Sequence, residues 1–581
     1  MTLLLLALGP AHADSVELPY EEPVRTAPAA PAAPSAIETA VAAELTRAMG
    51  GLRLPDAPAP YLIAYDVLDG RVIDAFAEQG ALVSTGADPY RNLRVEVRVG
   101  DATFDSSNFR AFGEPDGVVQ RRLPVEDAQV ALRREIWLAT DAAYKYAVEQ
   151  HSRKTASRRD DSTPRPPDWT AAPPVVATLP APAAALTDRA AVEALVSRLS
   201  AELATFGGVE ISQAIARDWQ GQRLVLTSEG TRLWTPTGYT ILRVEGTTRL
   251  PDGSTVTDSR SWLARDLADL PAAEALVAEV RTLGEWLTSL RAAPVEEDYL
   301  GPVLFEGPAA IELFSQLLSA EVVGTPPMEE DTGGMVDMGA APSARIGRRL
   351  LPEGWSMVDD PTTEADVLGR YAYDQEGVAP QRVELVEDGV LRRLLMSRIP
   401  RKDIAGSTGH GRSLGAERRS AVPAVVTITP RRSVPDARLR RTGLRLAAQT
   451  GRDYLLVIRA LTPPALVESL EVGISGEGAM SGLTPPYEAY RLYNDGRTVP
   501  VRSVHFSGVD RRVLRDIALA GANTGPVDML DGPPGPGRYQ IGPTGGLTVT
   551  WDVPSVLITE LEVAGSGGGE PRALPMPPRE K

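Results

Sequence analysis

At 581 residues the chain is long enough for about two to four domains, each with its own core. Its 43% hydrophobic and 24% charged residues are those of a globular protein, and a net charge of −17 opposes binding to nucleic acid and anionic membranes, which carry the same sign. The absence of cysteine excludes disulfides and thiolate metal sites.

The opening residues, MTLLLLALGPAHADS, read as an export signal. Leu3 to Leu8 form a short apolar core, and Ala11-His12-Ala13 is a small-residue cleavage pattern. Residues 1–13 are therefore expected to be removed and the protein to be exported, periplasmic or extracellular. If translation truly starts elsewhere, the expected location is cytoplasmic. No later run of about 18 apolar residues occurs, so no membrane-spanning helix is expected. Residues 14–34 are rich in Pro and Ala and read as disordered.

A first α/β module is expected over residues 35–159. Ser35-Ala36-Ile37-Glu38 fits a capping box, and Ile37, Val41, Leu45 and Met49 share one helical face. Tyr61 to Leu68 reads as a strand, Asp69-Gly70 as a hairpin turn, and Arg71 to Phe76 as the returning strand. Leu93, Val95, Val97 and Val99 alternate with Arg94, Glu96 and Arg98, which predicts a strand with one buried and one wet face. A helix is predicted from about Val125 to Ser152, with Leu132, Ile136, Ala139, Ala143 and Ala147 inward.

Residues 160–186 form a Pro-rich linker. The pattern then recurs over 187–296. One helix carries Val192, Leu195, Val196, Leu199 and Leu203. Strands are predicted around Arg223 to Leu226, Thr231 to Trp234 and Tyr239 to Leu250. A helix from Pro271 bears Leu276, Val280, Leu283, Leu287 and Leu290. Leu-Arg-Val-Glu occurs in both modules, at Leu93 to Glu96 and Leu242 to Glu245. Duplication would explain this, and so would the shared demands of similar strands.

From 297 to 564 short strands alternate with turn signals, among them Glu387-Asp388-Gly389, Asn494-Asp495-Gly496 and Pro543-Thr544-Gly545-Gly546. Helices are predicted near Pro308 to Leu318, Asp436 to Ala448 and Asp510 to Ala520. Residues 565–581 read as a free, disordered tail. The expected fold class is α+β: two helix–antiparallel-sheet–helix modules followed by a β-rich C-terminal domain.

Several C-terminal segments together resemble the TldD/PmbA metallopeptidase family. They are Gly301-Pro302-Val303-Leu304-Phe305 leading into a helix, Ile346-Gly347-Arg348-Arg349, Val358-Asp359-Asp360-Pro361, and the D-x-E-G stretch Asp374-Gln375-Glu376-Gly377. The hairpin Leu385 to Leu391, the loop Ser407-Thr408-Gly409-His410-Gly411 and the closing strand Pro554 to Ile558 follow in the same order. The likeness is best over residues 300–412. The resemblance implies a dimer enclosing a cavity in which unfolded peptides are cleaved. Its catalytic branch holds zinc through HExxxH and a later cysteine, with the glutamate as general base. Here Glu306 and Ile311 stand where that pattern has histidines, Gly307 stands where it has the base, and no cysteine exists. The chain is thus more similar to the PmbA-like branch, which lacks these ligands and partners a TldD-like catalytic subunit. No cofactor is expected in this chain; zinc is expected only in a catalytic partner. A homomeric, exported peptide- or partner-binding protein is the alternative.

Other constellations are weaker. The four histidines, His12, His151, His410 and His505, show no metal-ligand spacing. His410, in the loop Ser407 to Gly411, is the best placed for function. Glu329-Glu330-Asp331 with Asp337, and Asp359-Asp360, read as acidic loops rather than cation or acid–base sites. Gly411-Arg412-Ser413-Leu414-Gly415 spells G-x-S-x-G without the strand–helix setting that a nucleophile elbow needs. Gly473 to Gly478 lacks the order of a nucleotide loop. Between Arg392 and Arg445 arginines abound, Arg440 and Arg441 included, without aromatic residues. That excludes base stacking and leaves a solvated face or a basic rim for an acidic partner.

Overall fold

The computed structural model describes residues 34–110, 118–158, 164–180, 188–251, 253–330, 344–415, 417–461, 483–506, 508–532 and 545–565. The export signal with His12, most of residues 14–34, both ends of the linker, the Gly473 to Gly478 stretch, Asp331, Asp337 and nearly all of the tail lie outside these residues.

The N-terminal half runs α1 (Ala36–Gly51), β1 (Pro60–Glu78), β2 (Ala81–Val99), β3 (Val118–Arg122), α2 (Gln129–Ser157), β4 (Val176–Thr178), α3 (Arg189–Ala204), β5 (Val209–Thr227), β6 (Arg232–Arg249), β7 (Thr255–Ala264) and α4 (Ala273–Leu290). Ser35 caps α1 through its hydroxyl, which accepts from the Glu38 N–H. The strands join in one sheet in the order β3-β2-β1-β5-β6, and β4 and β7 both pair with β6. Because β1 pairs antiparallel with β5, the two helix–sheet–helix units share a single sheet. Leu93 of β2 lies opposite Val67 of β1, and Leu242 of β6 lies opposite Ala216 of β5, so the two Leu-Arg-Val-Glu segments occupy equivalent places. Helices α1 and α2 close one core over one end of this sheet; α3 and α4 close a second over the other end.

The expected hairpin at Asp69-Gly70 does not form. β1 runs straight through it, and the chain turns instead at Gln79-Gly80. Asp69 pairs across the sheet with Arg91, and Gly70 faces Gly221 of β5. A Cβ at Gly70 would stand 2.3 Å from the Gln220 carbonyl oxygen, so this glycine permits a close strand approach rather than a turn. The predicted wet face of β2 is also corrected. Arg94 and Arg98 are buried, because the C-terminal half covers that face: Arg94 donates to the Glu417 carbonyl, and Arg419 donates to Asp66 of β1.

The C-terminal half contains β8 (Tyr299–Phe305), α5 (Pro308–Leu318), β9 (Ser356–Asp359), β10 (Val383–Glu387), β11 (Val425–Thr429), α6 (Asp436–Gln449), β12 (Tyr454–Leu461), β13 (Pro486–Tyr493), β14 (Ile517–Gly521), β15 (Leu547–Asp552) and β16 (Val556–Gly565). One sheet orders β14-β16-β8-β12-β13 and the other β10-β9-β11-β15, each extended by short edge strands. Helix α5 and the facing sides of both sheets share one large core that includes Phe305, Phe314, Trp355 and Trp551. Helix α6 covers the opposite face of the first sheet through Leu439, packed with Leu304, Leu455 and Leu557. The predicted helix at Asp510 to Ala520 resolves into a short 3-10 turn, Arg511–Asp516, followed by β14.

Candidate functional site

The strand-to-helix entry is built by an apolar strand that stops at Phe305 and a helix that starts at Pro308. Proline suits this first position because its missing N–H would be unpaired there anyway. Gly307 joins the two at φ 54° and ψ −127°, a backbone shape that favours glycine, and nothing lies within 4 Å of where its Cβ would be. Glu306 points outward. Its two oxygens accept from Arg440 Nε at 2.8 Å and Nη2 at 3.0 Å, and Arg459 lies 3.5 Å away. This hydrogen bonding raises the Arg440 guanidinium above its ordinary range. Ile311 is buried against the core of α5.

The three positions therefore present an ion-paired carboxylate, a bare backbone and an apolar side chain. Zinc takes about three protein donors in tetrahedral array. Only Glu306 offers one, and guanidinium groups already hold both its oxygens. Among the described residues no group of three or more His, Cys, Asp or Glu could hold a metal ion. The residues here do not fit zinc.

The loop Ser407 to Gly411 is clamped to the D-x-E-G stretch. Gln375 N–H donates to the Gly411 carbonyl, and Gly411 N–H donates to Asp374 Oδ2 at 2.8 Å. Asp374 Oδ1 accepts from the N–H groups of Glu376 and Val378. Glu376 Oε2 accepts from Arg398 N–H at 2.7 Å, while its Oε1 has no partner. A Cβ at Gly411 would sit 2.2 Å from Glu376 Oε2, so only glycine fits. Burial raises the pKa of both carboxyl groups, and the neighbouring Asp374 helps push Glu376 up to about 8. Three backbone donors favour charge on Asp374, which leaves the proton on Glu376.

His410 is fully buried in this clamp. Its Nδ1 meets the Thr408 hydroxyl at 2.9 Å and carbonyl at 3.0 Å; its Nε2 is unpaired, 3.6 Å from Asp359. Tyr371 lies edge-on to the ring and donates to the Gly409 carbonyl. Asp359 accepts from the N–H groups of Ala424 and Val425, and Asp360 shapes the following turn. Ser413 is buried beside Gln375, without a base within hydrogen-bond reach. His505 stands exposed on a short strand, Val504–Phe506, and His151 packs edge-on against Phe104. The structure thus keeps Glu306, Gly307 and Ile311 together at one entry and places His410 in a separate interior clamp.

Residues 301–565 match the sequence profile of the PmbA/TldA metallopeptidase C-terminal domain. The chain's C-terminal part, residues 301–565, is thus a domain of the TldD/PmbA family. A metalloprotease of Archaeoglobus fulgidus is 36% identical over 73 residues, 13% of this chain and 17% of that protein. One from Methanothermobacter thermautotrophicus is 46% identical over 54 residues, 9% of this chain and 12% of that protein. The chain thus matches less than a fifth of either relative's length. In fold it is similar to TldE from Thermococcus kodakarensis, with a TM-score of 0.56, 13% identity, and coverage of 91% of this chain and 100% of that one. It is also similar to a candidate modulator of a DNA gyrase from Thermotoga maritima, with a TM-score of 0.54, 17% identity, and coverage of 87% and 96%.

Two features of the chain escape a reading of its sequence. Arg459 completes the cage around Glu306, yet it sits in an apolar strand with no motif around it. Trp169 is buried between Arg98 at 3.7 Å and Arg398 at 4.3 Å. Its signal was present: a lone tryptophan inside a Pro/Ala-rich stretch marks a segment that docks.

Proposed function

We propose that this protein is a metal-free, PmbA-like subunit that acts beside a TldD-like catalytic subunit in degrading unfolded peptides. The observation that carries this reading is the chemistry at the strand-to-helix entry. Where the family pattern needs two imidazoles and a base, this chain has a carboxylate sealed by Arg440 and Arg459, a glycine and a core isoleucine. The similarity in fold to TldE supports the partnership. On this reading the subunit shapes the chamber and holds peptide backbone by strand addition. It binds no nucleic acid, in keeping with its net charge of −17. On this reading the complex is exported, which the leader-like stretch Leu3 to Ala13 supports.

The test combines elemental metal analysis with mass in solution and a peptidase assay. The purified chain is expected to carry no stoichiometric metal and to cleave no unfolded peptide alone. Mixed with an exported HExxxH relative, it should form a heterodimer with chelator-sensitive activity. One equivalent of zinc per chain, with cleavage by the chain alone, would sink the proposal. A second reading, an exported homomeric peptide- or partner-binding protein, is favoured by that same leader, since a catalytic partner would need exporting too. A stable homodimer that ignores the HExxxH relative would select it.

A further inference from the structure

Helix α6 has two basic faces with different fates. Leu439, Gly443 and Ala447 form its buried side. Arg440 flanks that side and is spent on Glu306. Arg438, Arg441 and Arg445 follow a spacing of three and four, which aligns them in one stripe opposite the buried side. All three are exposed, and among the described residues no carboxylate pairs with any of them; Arg441 donates to the Ala437 carbonyl of its own helix. Arg431 and Arg432, just before the helix, are exposed too, with no ion pair among the described residues, and the Arg431 side chain lies beside Gly354.

This arrangement works against the helix that carries it. Like charges one turn apart repel and destabilise a helix. Arg438, in the first turn, also opposes the helix dipole. In a chain with 77 acidic residues, carboxylates are abundant, and many arginines elsewhere meet them, as Arg153 meets Glu149 and Arg281 meets Glu202. The stripe is unneutralised despite that supply.

We propose that the outer face of α6 is a docking strip for an acidic segment of a partner polypeptide. Three arguments fix this occupant. The residues are all arginine, whose planar fork pairs carboxylates two-fold, whereas lysine offers a point charge. The stripe spans about 10 Å along the helix at 1.5 Å per residue, the reach of roughly three extended residues. No aromatic residue stands between Arg431 and Arg452, so the strip lacks the stacking platforms that nucleic acid would use. The proposal is independent of whether the chain is a catalytic partner's subunit, because no residue of the strip contacts the entry at Glu306.

The test uses a fluorescent twelve-residue glutamate peptide, with a glutamine peptide of equal length as control, titrated with the full chain. Binding to the glutamate peptide is expected to exceed the control and to weaken about tenfold from low to physiological salt. The triple variant Arg438→Gln, Arg441→Gln and Arg445→Gln should lose about tenfold or more, with an unchanged circular dichroism spectrum. Arg53→Gln with Arg71→Gln, two exposed arginines elsewhere, should change nothing. Equal binding of both peptides, full binding by the triple variant, or equal affinity for a single-stranded oligonucleotide would each overturn the proposal.

Discussion

At the scale of single residues, the buried clamp makes stability depend on pH. In the unfolded chain Glu376 ionises near the ordinary value of about 4.3. In the folded chain burial and Asp374 hold it up to about 8. Between those values the native state keeps a proton that the unfolded chain has lost. The contribution is therefore complete below the ordinary carboxylate range and drains away as pH rises towards 8. Chemical denaturation should show a loss on the order of 3 kcal/mol from about pH 5 to about pH 8.5. Glu376→Gln mimics the neutral form and should flatten much of that slope. Some slope will remain, because burial also lifts Asp258 to about 7. An identical slope in the variant would show that Glu376 is ionised in the fold. The entry at Glu306 yields a second expectation. Grafting the catalytic pattern as Glu306→His, Gly307→Glu and Ile311→His should not create a tight zinc site. Gly307 has the positive φ that resists a side chain, and Ile311→His places an imidazole in the core. Thermal denaturation should report a loss of about 3–5 kcal/mol, and dialysed protein should retain no zinc. Stoichiometric zinc at an unchanged Tm would refute this.

At the scale of elements, strand crossings decide where glycine is needed. Gly70→Ala drives a methyl into the Gln220 carbonyl, 2.3 Å away, and should cost about 3 kcal/mol or more by splitting β1 from β5. Gly50→Ala, in α1 with empty space around it, should instead add up to about 1 kcal/mol. Urea midpoints of the two variants should move in opposite directions; movement together would mean that the crossing is slack. This pair also shows what a sequence can and cannot tell. Local rules succeeded where local geometry decides: the Ser35 cap, the helix opening at Pro308, and the Asp388-Gly389 turn, where both residues take positive φ between paired strands. The same rule failed at Asp69-Gly70, because a distant strand, not a turn, sets the requirement there. The polar residues of β2 misled for a like reason. Alternation reports which face is apolar, whereas what covers the polar face depends on residues more than 300 positions away, such as Arg419 against Asp66. At the candidate site, the identities of Glu306, Gly307 and Ile311 at the strand-to-helix entry were legible in the sequence. The arginine cage around Glu306 was not, since Arg440 and Arg459 reach it only after α6 and β12 pack beside β8.

At the scale of the whole molecule, the two halves are joined through buried charge and through small apolar contacts rather than one large shared core. Among the described residues the buried clusters keep to one side of this seam apart from a small one that unites Leu62, Trp169 and Ile399, and Tyr490 of β13 reaches across it to Trp286 of α4. Trp169 is the hinge pin of that small cluster. Arg98, from β2, and Arg398, from the C-terminal half, both lie over its ring. Arg98 is tied to Glu96 and Asp105; Arg398 holds Glu229 through two hydrogen bonds of 2.6 and 2.7 Å and reaches the Thr170 carbonyl. Each guanidinium thus has its charge satisfied within its own surroundings and lends its face to the indole, where desolvation strengthens the cation–π attraction. Removing the ring leaves two buried cations facing a void across the seam. Trp169→Ala should therefore cost about 3–5 kcal/mol and uncouple the halves, so that calorimetry shows two transitions where the parent shows one. Trp169→Phe keeps a π face and should retain most of the coupling. The decisive comparison is between these variants: if alanine and phenylalanine behave alike, the ring is filler and the coupling resides in the Arg398–Glu229 pair, whereas a graded response assigns it to the stack.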